Sequence, residues 1–221
     1  MTANKRFKRR VRDRARKTGE SYTTALAHFR QRPEEERSMS DQTSGTIIVV
    51  TGPTGVGKST VSHLIAAEFE RSVHLRADEI MGSVVSGWVD PNLPEAQAQN
   101  EAVGGAIAVS SMSFAGDGYT TVVDGYLFPD GVRGLAAACV DRGLSCHYVV
   151  LTADLETCWA RASARGEGRW PLEYEPVAAL HARFADLVPD ARHVVDASGS
   201  PESVRDAVLA KFAAGALATP P

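Results

Sequence analysis

Gly52-Pro53-Thr54-Gly55-Val56-Gly57-Lys58-Ser59 holds three glycines, a lysine and a hydroxyl in the spacing GxxxxGK[ST]. Glycines let successive backbone N–H groups turn toward one point. A helix N-terminus just behind adds the positive end of its dipole. Such a cradle takes the oxyanions of a nucleotide. In this pattern the lysine reaches the β- and γ-phosphates and the hydroxyl ligates Mg²⁺. Gly52, Thr54, Gly55, Val56, Gly57, Lys58, Ser59 and Thr60 are therefore the expected nucleotide-binding residues, with ATP and Mg²⁺ as cofactors.

Moving a phosphoryl group needs more than a cradle. It needs a carboxylate for the acceptor hydroxyl and positive charge for the transition state. Asp78, in "HLRADEI", follows a short β-branched and apolar run and is the expected catalytic carboxylate. An aspartate there also suits the N-cap of a following helix, and Glu79 is a weaker rival for the role. Arg76, just before it, is a candidate for holding substrate or phosphate. Asp124, in "TTVVDGY", is expected to hold the Mg²⁺ water shell or bind acceptor hydroxyls. With Ser59 it makes up the expected metal set. An Asp-Gly pair is also a turn signal.

The stretch "WARASARGEGRW" sets Arg161 and Arg165 at i, i+4, with Arg169 beyond a glycine pair. It reads as a lid whose guanidinium groups close on phosphates; a solvated basic helix end is the alternative. The loop "DASGS" includes Ser198 and Gly199, whose backbone is expected to lie against the base. Trp88 and Asn100, with Asn92 and Gln99, are candidates to line the acceptor site within the 86–114 region.

The elements that must position these residues alternate. "TIIVV" is a strand buried on both faces, and "KSTVSHLIAAEF" has helical spacing. Strands follow at 73–76, 120–126, 147–152 and 193–199. Helices are expected at 78–86, 94–115, 154–165, 175–187 and 200–217, with Asp154 near the start of one and Ser200 capping the last. Such alternation predicts an α/β fold with a parallel sheet covered on both faces.

Other nucleotide users leave marks that this chain lacks. There is no NKxD tetrapeptide for guanine and no LSGGQ signature. "TVVDGY" carries one acid where remodelling ATPases carry two, and about 95 residues follow it. No apolar run approaches the ~20 residues of a membrane span, and no apolar segment follows the basic start to make a secretory signal. Cys139, Cys146 and Cys158 form no CxxC pair, which points to a reducing compartment and a cytoplasmic location. The histidines show neither HxxxH nor HExxH spacing. The wealth of alanine, and of arginine over lysine, suggests a GC-rich bacterial source.

At Gly52–Thr60, Asp78, Asp124 and the Arg161/Arg165 pair the chain resembles small P-loop kinases of the chloramphenicol phosphotransferase, gluconate kinase and shikimate kinase type. It is also similar to the AAA-family small ATPases common in actinobacteria. The resemblance spans roughly residues 46–214. It implies a three-layer P-loop fold of the nucleoside-monophosphate-kinase type with five parallel strands, ATP with Mg²⁺, and Asp78 as catalytic aspartate. The implied reaction moves the γ-phosphoryl group to a hydroxyl of a small molecule: an antibiotic, a sugar or a nucleoside-like compound.

Residues 1–32 carry 11 basic and 2 acidic side chains, which leaves 13 basic and 25 acidic from totals of 24 and 27. They read as a short basic α-helical extension, followed by a linker at 33–45 and a P-loop kinase domain at 46–217. Met39 would open a P-loop protein normally, so residues before it are an extension or a start-site artefact. The extension's charge suits nucleic acid, with Phe7, Tyr22 and Phe29 to stack on bases. It equally suits docking on a protein surface, or a solvated tail. A polynucleotide 5′-hydroxyl kinase and an ATP-gated, partner-binding regulator with slow hydrolysis remain alternatives.

Overall fold

The computed structural model describes residues 12, 15–24, 45–164, 172–186 and 191–219. The chain divides into two compact units, Met1–Thr43 and Ser44–Pro221. In the first, residues 15–18 and 22–24 are helical, and Gly19 between them takes φ +74°. Ser21 Oγ accepts the Thr24 N–H at 3.1 Å and so starts the second stretch. Tyr22 is exposed. Phe7 and Phe29 lie outside the described residues.

The second unit is built on a parallel sheet. Its strands are β1 (Thr46–Thr51), β2 (Ser72–Arg76), β3 (Thr120–Asp124), β4 (Ser145–Thr152) and β5 (Val194–Asp196). Their spatial order is β2-β3-β1-β4-β5, with every neighbouring pair parallel. The central place of β1 explains its unbroken apolar run. Ile47 and Val49 enter one core while Ile48 and Val50 enter the other, all fully buried, as strand alternation requires.

Helices cover both faces. The first core takes α2 (Ala77–Met81), α3 (Gln97–Gly116), α4 (Pro129–Val140) and α6 (Tyr174–Asp186). The second takes α1 (Lys58–Ala67), α5 (Leu155–Ser163) and α7 (Pro201–Ala213). Asp154 caps α5, accepting the Thr157 N–H at 2.7 Å, and Ser200 caps α7, accepting the Ser203 N–H at 3.2 Å. Among the described residues no helix is long and apolar enough to cross a membrane.

Several elements differ from the sequence expectation; β3 ends at Asp124, short of 126, and α7 at Ala213, short of 217. Helix α4 was not read at all. Gly131 and Gly134 dilute its helical signal, yet Val132, Leu135, Ala136 and Cys139 are buried at i, i+3, i+4 and i+7. Burial against β4 outweighs the weak local preference. Helix α2 stops at Met81, where the Gly82 N–H closes on the Asp78 carbonyl at 2.9 Å, well short of residue 86. Strand β5 keeps only three residues of 193–199; an Asp196-centred turn follows it, with the Ser198 N–H bonded to Asp196 Oδ1 at 2.9 Å.

Candidate active site

The cradle joins the end of β1 to α1. Gly57 is the α1 N-cap, so the helix begins at Lys58. Gly52 and Gly55 have φ of +145° and +80°. A Cβ at Gly52 would overlap the Leu151 carbonyl of β4, and one at Gly55 the Cys158 carbonyl of α5. The loop is thus pressed against β4 and α5, where no side chain fits.

Lys58 is 8% exposed. Its ammonium donates to the carbonyls of Gly52 and Pro53, each at 3.0 Å, and lies 4.3 Å from the centre of the Tyr126 ring, within cation–π range. The Tyr126 hydroxyl bonds Thr54 Oγ1 at 2.9 Å. Thr51 Oγ1 donates to the Gly125 carbonyl at 2.9 Å and accepts the Leu127 N–H at 3.1 Å. Three side chains therefore stitch the cradle to the loop leaving β3. Gly125 makes the close approach possible, because a Cβ there would meet Ala77 Cβ.

Asp124 ends β3 on the face that Val122 turns to the second core, toward α1. It is 4% exposed. Oδ2 accepts a short hydrogen bond from Ser59 Oγ, and Oδ1 lies 3.0 Å from His74 Nε2. Burial pushes its pKa up; the hydrogen bonds from His74 and Ser59 and the positive charges of His74 and Lys58 outweigh that, leaving the carboxyl below its ordinary value. An ionised carboxylate only accepts, so His74 Nε2 carries the shared proton. Ser59 and Asp124 are thus brought together as expected. They are hard oxygen donors beside a phosphate cradle, which suits Mg²⁺, an ion that keeps waters and takes few carboxylates. Among the described residues no cluster of three or more His, Cys, Asp or Glu could hold a metal by itself.

His74 was missed by the sequence reading, which tested histidines only for metal spacing. Its signal was alternation. Leu75 packs on the first core, so His74 and Arg76 face α1. Tyr126 was missed too, although it directly follows Asp124-Gly125.

Arg76 is paired in β2 with Asp124 and leads straight into α2. It occupies the α2 N-cap without a side-chain cap bond, so Asp78 is not the cap but lies in the first turn. The Asp78 carboxylate is exposed and takes no partner among the described residues. Arg76 donates to Glu79 Oε1 at 2.5 Å, both side chains being exposed.

The lid expectation changes for Arg161. Its guanidinium reaches the carbonyls of Ala197, Ser198 and Gly199 at 2.7, 3.1 and 3.5 Å. Arg161 therefore braces the loop after β5. The reason is proximity: α5 and the β5–α7 turn share one side of the sheet. Ser198 and Gly199 are held by this arginine and by Asp196, whose carboxyl sits below its ordinary value through bonds from Ser198. Arg165 and Arg169 lie outside the described residues.

The acceptor candidates have partners within the chain. Asn100 Nδ2 donates to the Pro91 carbonyl at 2.9 Å. Gln99 donates to the Val89 carbonyl at 2.8 Å and accepts the Val89 N–H at 2.9 Å. Both tie the 88–92 loop to α3, and Asn92 bonds Asp90. Trp88 remains exposed on that loop.

The AAA domain family model matches residues 47–187, more than half of the chain. No curated protein sequence matches it. Among solved structures, a gluconokinase from Sinorhizobium meliloti 1021 superposes with TM-score 0.57 at 20% identity, over 78% of this chain and 94% of that one. A sugar kinase from Janibacter sp. HTCC2649 gives 0.56 at 19%, over 76% and 94%. The Deinococcus radiodurans tunicamycin resistance protein gives 0.54 at 20%, over 80% and 99%. With a five-stranded parallel sheet, a buried cradle lysine and the Ser59–Asp124 pair, the chain belongs to the AAA domain family and has the P-loop kinase fold, which implies nucleotide binding.

Proposed function

We propose that this protein transfers the γ-phosphoryl group of ATP, with Mg²⁺, to a hydroxyl of a small molecule. The observation that carries the reading is the pair of strand ends beside the cradle. Arg76 stands opposite Asp124 in the β2–β3 register, and Asp78, exposed and without a partner among the described residues, follows two residues on. A buried carboxylate already bonded to the cradle serine and an open one available to an acceptor are the two that phosphoryl transfer needs.

In this reading the cradle N–H groups and Lys58 bind the β- and γ-phosphates. Ser59 and Asp124 would hold Mg²⁺, which would supply positive charge to offset that of the phosphates. Asp78 orients the acceptor hydroxyl and takes its proton. Arg161 steadies the 197–199 loop against the base, and Arg165 and Arg169 remain candidates to close over the transferring group. The acceptor is an antibiotic, a sugar or a nucleoside-like alcohol.

A second reading has its own support. One chain of the Pnkp1/Rnl/Hen1 RNA repair complex superposes with TM-score 0.50 at 13% identity, over 68% of this chain and 48% of that one. With the 11 basic residues of the first 32, this favours a polynucleotide 5′-hydroxyl as the competing acceptor.

The test is ADP release from ATP–Mg²⁺ across sugars, nucleosides, aminoglycosides, chloramphenicol-type compounds and 5′-hydroxyl oligonucleotides. One class should stimulate turnover, with loss of the effect in Lys58→Ala and Asp78→Ala. Stimulation by oligonucleotides alone favours the second reading. A slow rate indifferent to every acceptor, or full transfer by Asp78→Ala, defeats the proposed mechanism and favours a nucleotide-gated partner protein.

A further inference from the structure

Beside the cradle, between α1 and the edge strand β2, lies a cleft of about 410 Å³ lined by Ser59, Thr60, His63, Leu64, His74 and Arg76. Asp78 is not among its walls. The strand β2 is the sheet edge, and its alternation sends His74 and Arg76 to the α1 side while Leu75 enters the opposite core. Among the described residues no carboxylate lines the cleft. Its residues carry a guanidinium, two imidazoles and two hydroxyls, of which the Ser59 hydroxyl and His74 Nε2 already bond Asp124.

The positive charge there is available to a ligand. Arg76 is 45% exposed and its partner Glu79 is 66% exposed, at i, i+3. Such a pair is weak in water and exchanges readily. The rings of His63 and His74 lie 6.2 Å apart between centroids, tilted by 47°, near enough for both to touch one tetrahedral group. Guanidinium geometry suits phosphate, and its charge persists at every working pH.

We propose that this cleft is a binding site for a phosphate group, held by Arg76 and His63 and bounded by His74 and Thr60. The site adjoins the cradle and shares Ser59 and Thr60 with it, and phosphate binding there does not depend on the transfer reading. It is wired to the metal-holding pair, because His74 bonds Asp124 and Asp124 bonds Ser59. A phosphate on a larger substrate would thereby be held next to the reacting groups. A free phosphate ion there would bear on the same pair as an effector.

Binding is read without turnover. The full-length protein is saturated with ADP and Mg²⁺ to fill the cradle, and the ring signals of His63 and His74 are followed by NMR. Inorganic phosphate and ribose 5-phosphate are titrated separately, against sodium chloride at equal ionic strength. We expect saturable shifts of both rings with the phosphate probes, and none with chloride. Arg76→Gln and His63→Ala alter exposed side chains and should each weaken binding by about 10-fold, the loss of one charge-assisted contact. Lys58→Ala should leave the response intact, which separates the cleft from the cradle. Tighter binding of the ester assigns the phosphate to a substrate, and equal binding assigns it to the free ion. Shifts that do not saturate, that chloride reproduces, that survive Arg76→Gln, or that vanish in Lys58→Ala overturn the site.

Discussion

His74 Nε2 lies 3.0 Å from Oδ1 of Asp124, joining adjacent strands across the floor of the site. The His74 side chain is 14% exposed and that of Asp124 is 4% exposed, so solvent competes little for the bond. With Ser59 on the other oxygen, the carboxylate is fixed on both sides.

That arrangement predicts a Mg²⁺ phenotype. Partners that orient a metal-holding group are commonly worth ~10–100-fold in metal affinity. His74→Ala should raise the Mg²⁺ concentration for half-maximal nucleotide binding by about 10-fold. His74→Asn, which keeps a donor, should recover part of the loss. Fluorescent-nucleotide titrations at several Mg²⁺ levels check this; equal midpoints in all three proteins refute it.

Arg161 braces three carbonyls of the loop after β5. Arg161→Ala should loosen that loop and weaken nucleotide binding more than it slows transfer: KM for ATP up by about 10-fold, kcat changed less, in line with the loss of a charged hydrogen bond. Arg161→Lys should not rescue, since one ammonium cannot span the fork. An unchanged KM with a collapsed kcat would return Arg161 to the transition-state role.

Gly55 is the tightest point of the cradle. Gly55→Ala places a methyl on the Cys158 carbonyl and forces φ +80° on a residue with a Cβ. The strain and the displacement of α5 should cost about 2–4 kcal/mol of stability. Urea unfolding measures it. Gly57→Ala shares the positive φ but meets open space, so its cost should be smaller. Equal losses for the two variants would contradict the account.

His147 gives the protein an acid-side weakness. Its ring lies 4.6 Å from Phe212 between centroids, and its buried Nδ1 has no hydrogen-bond partner among the described residues. Burial holds its pKa below the ordinary value. The unfolded chain therefore takes up the proton first. This contribution to stability is full above about pH 6.5, the ordinary histidine value, and is lost as pH falls toward the lower folded value. Thermal unfolding from pH 7.5 to pH 5 should show that fall, and His147→Leu should flatten it. Parallel profiles would exclude His147 as the cause.

Much of this protein was legible in the chain itself. The cradle is local: Gly52 to Ser59 are contiguous, and backbone geometry demands glycine wherever a side chain would collide or φ turn positive. The run Ile47–Val50 announced a central strand because a strand covered on both faces must be apolar throughout. Asp124 stood out because an acid ended such a run. The caps Asp154 and Ser200 are likewise nearest-neighbour chemistry. Tertiary structure alone decided the rest. That His74, 50 residues before Asp124, would hold it followed from β2 lying beside β3. That Arg161 would spend its guanidinium on Ala197–Gly199 followed from α5 packing beside the β5–α7 turn. That α4 would be helical despite two glycines followed from the core it fills. Each depends on which distant segment arrives next to a residue, and in a parallel sheet neighbouring strands are far apart in sequence, so spacing along the chain does not encode the partner.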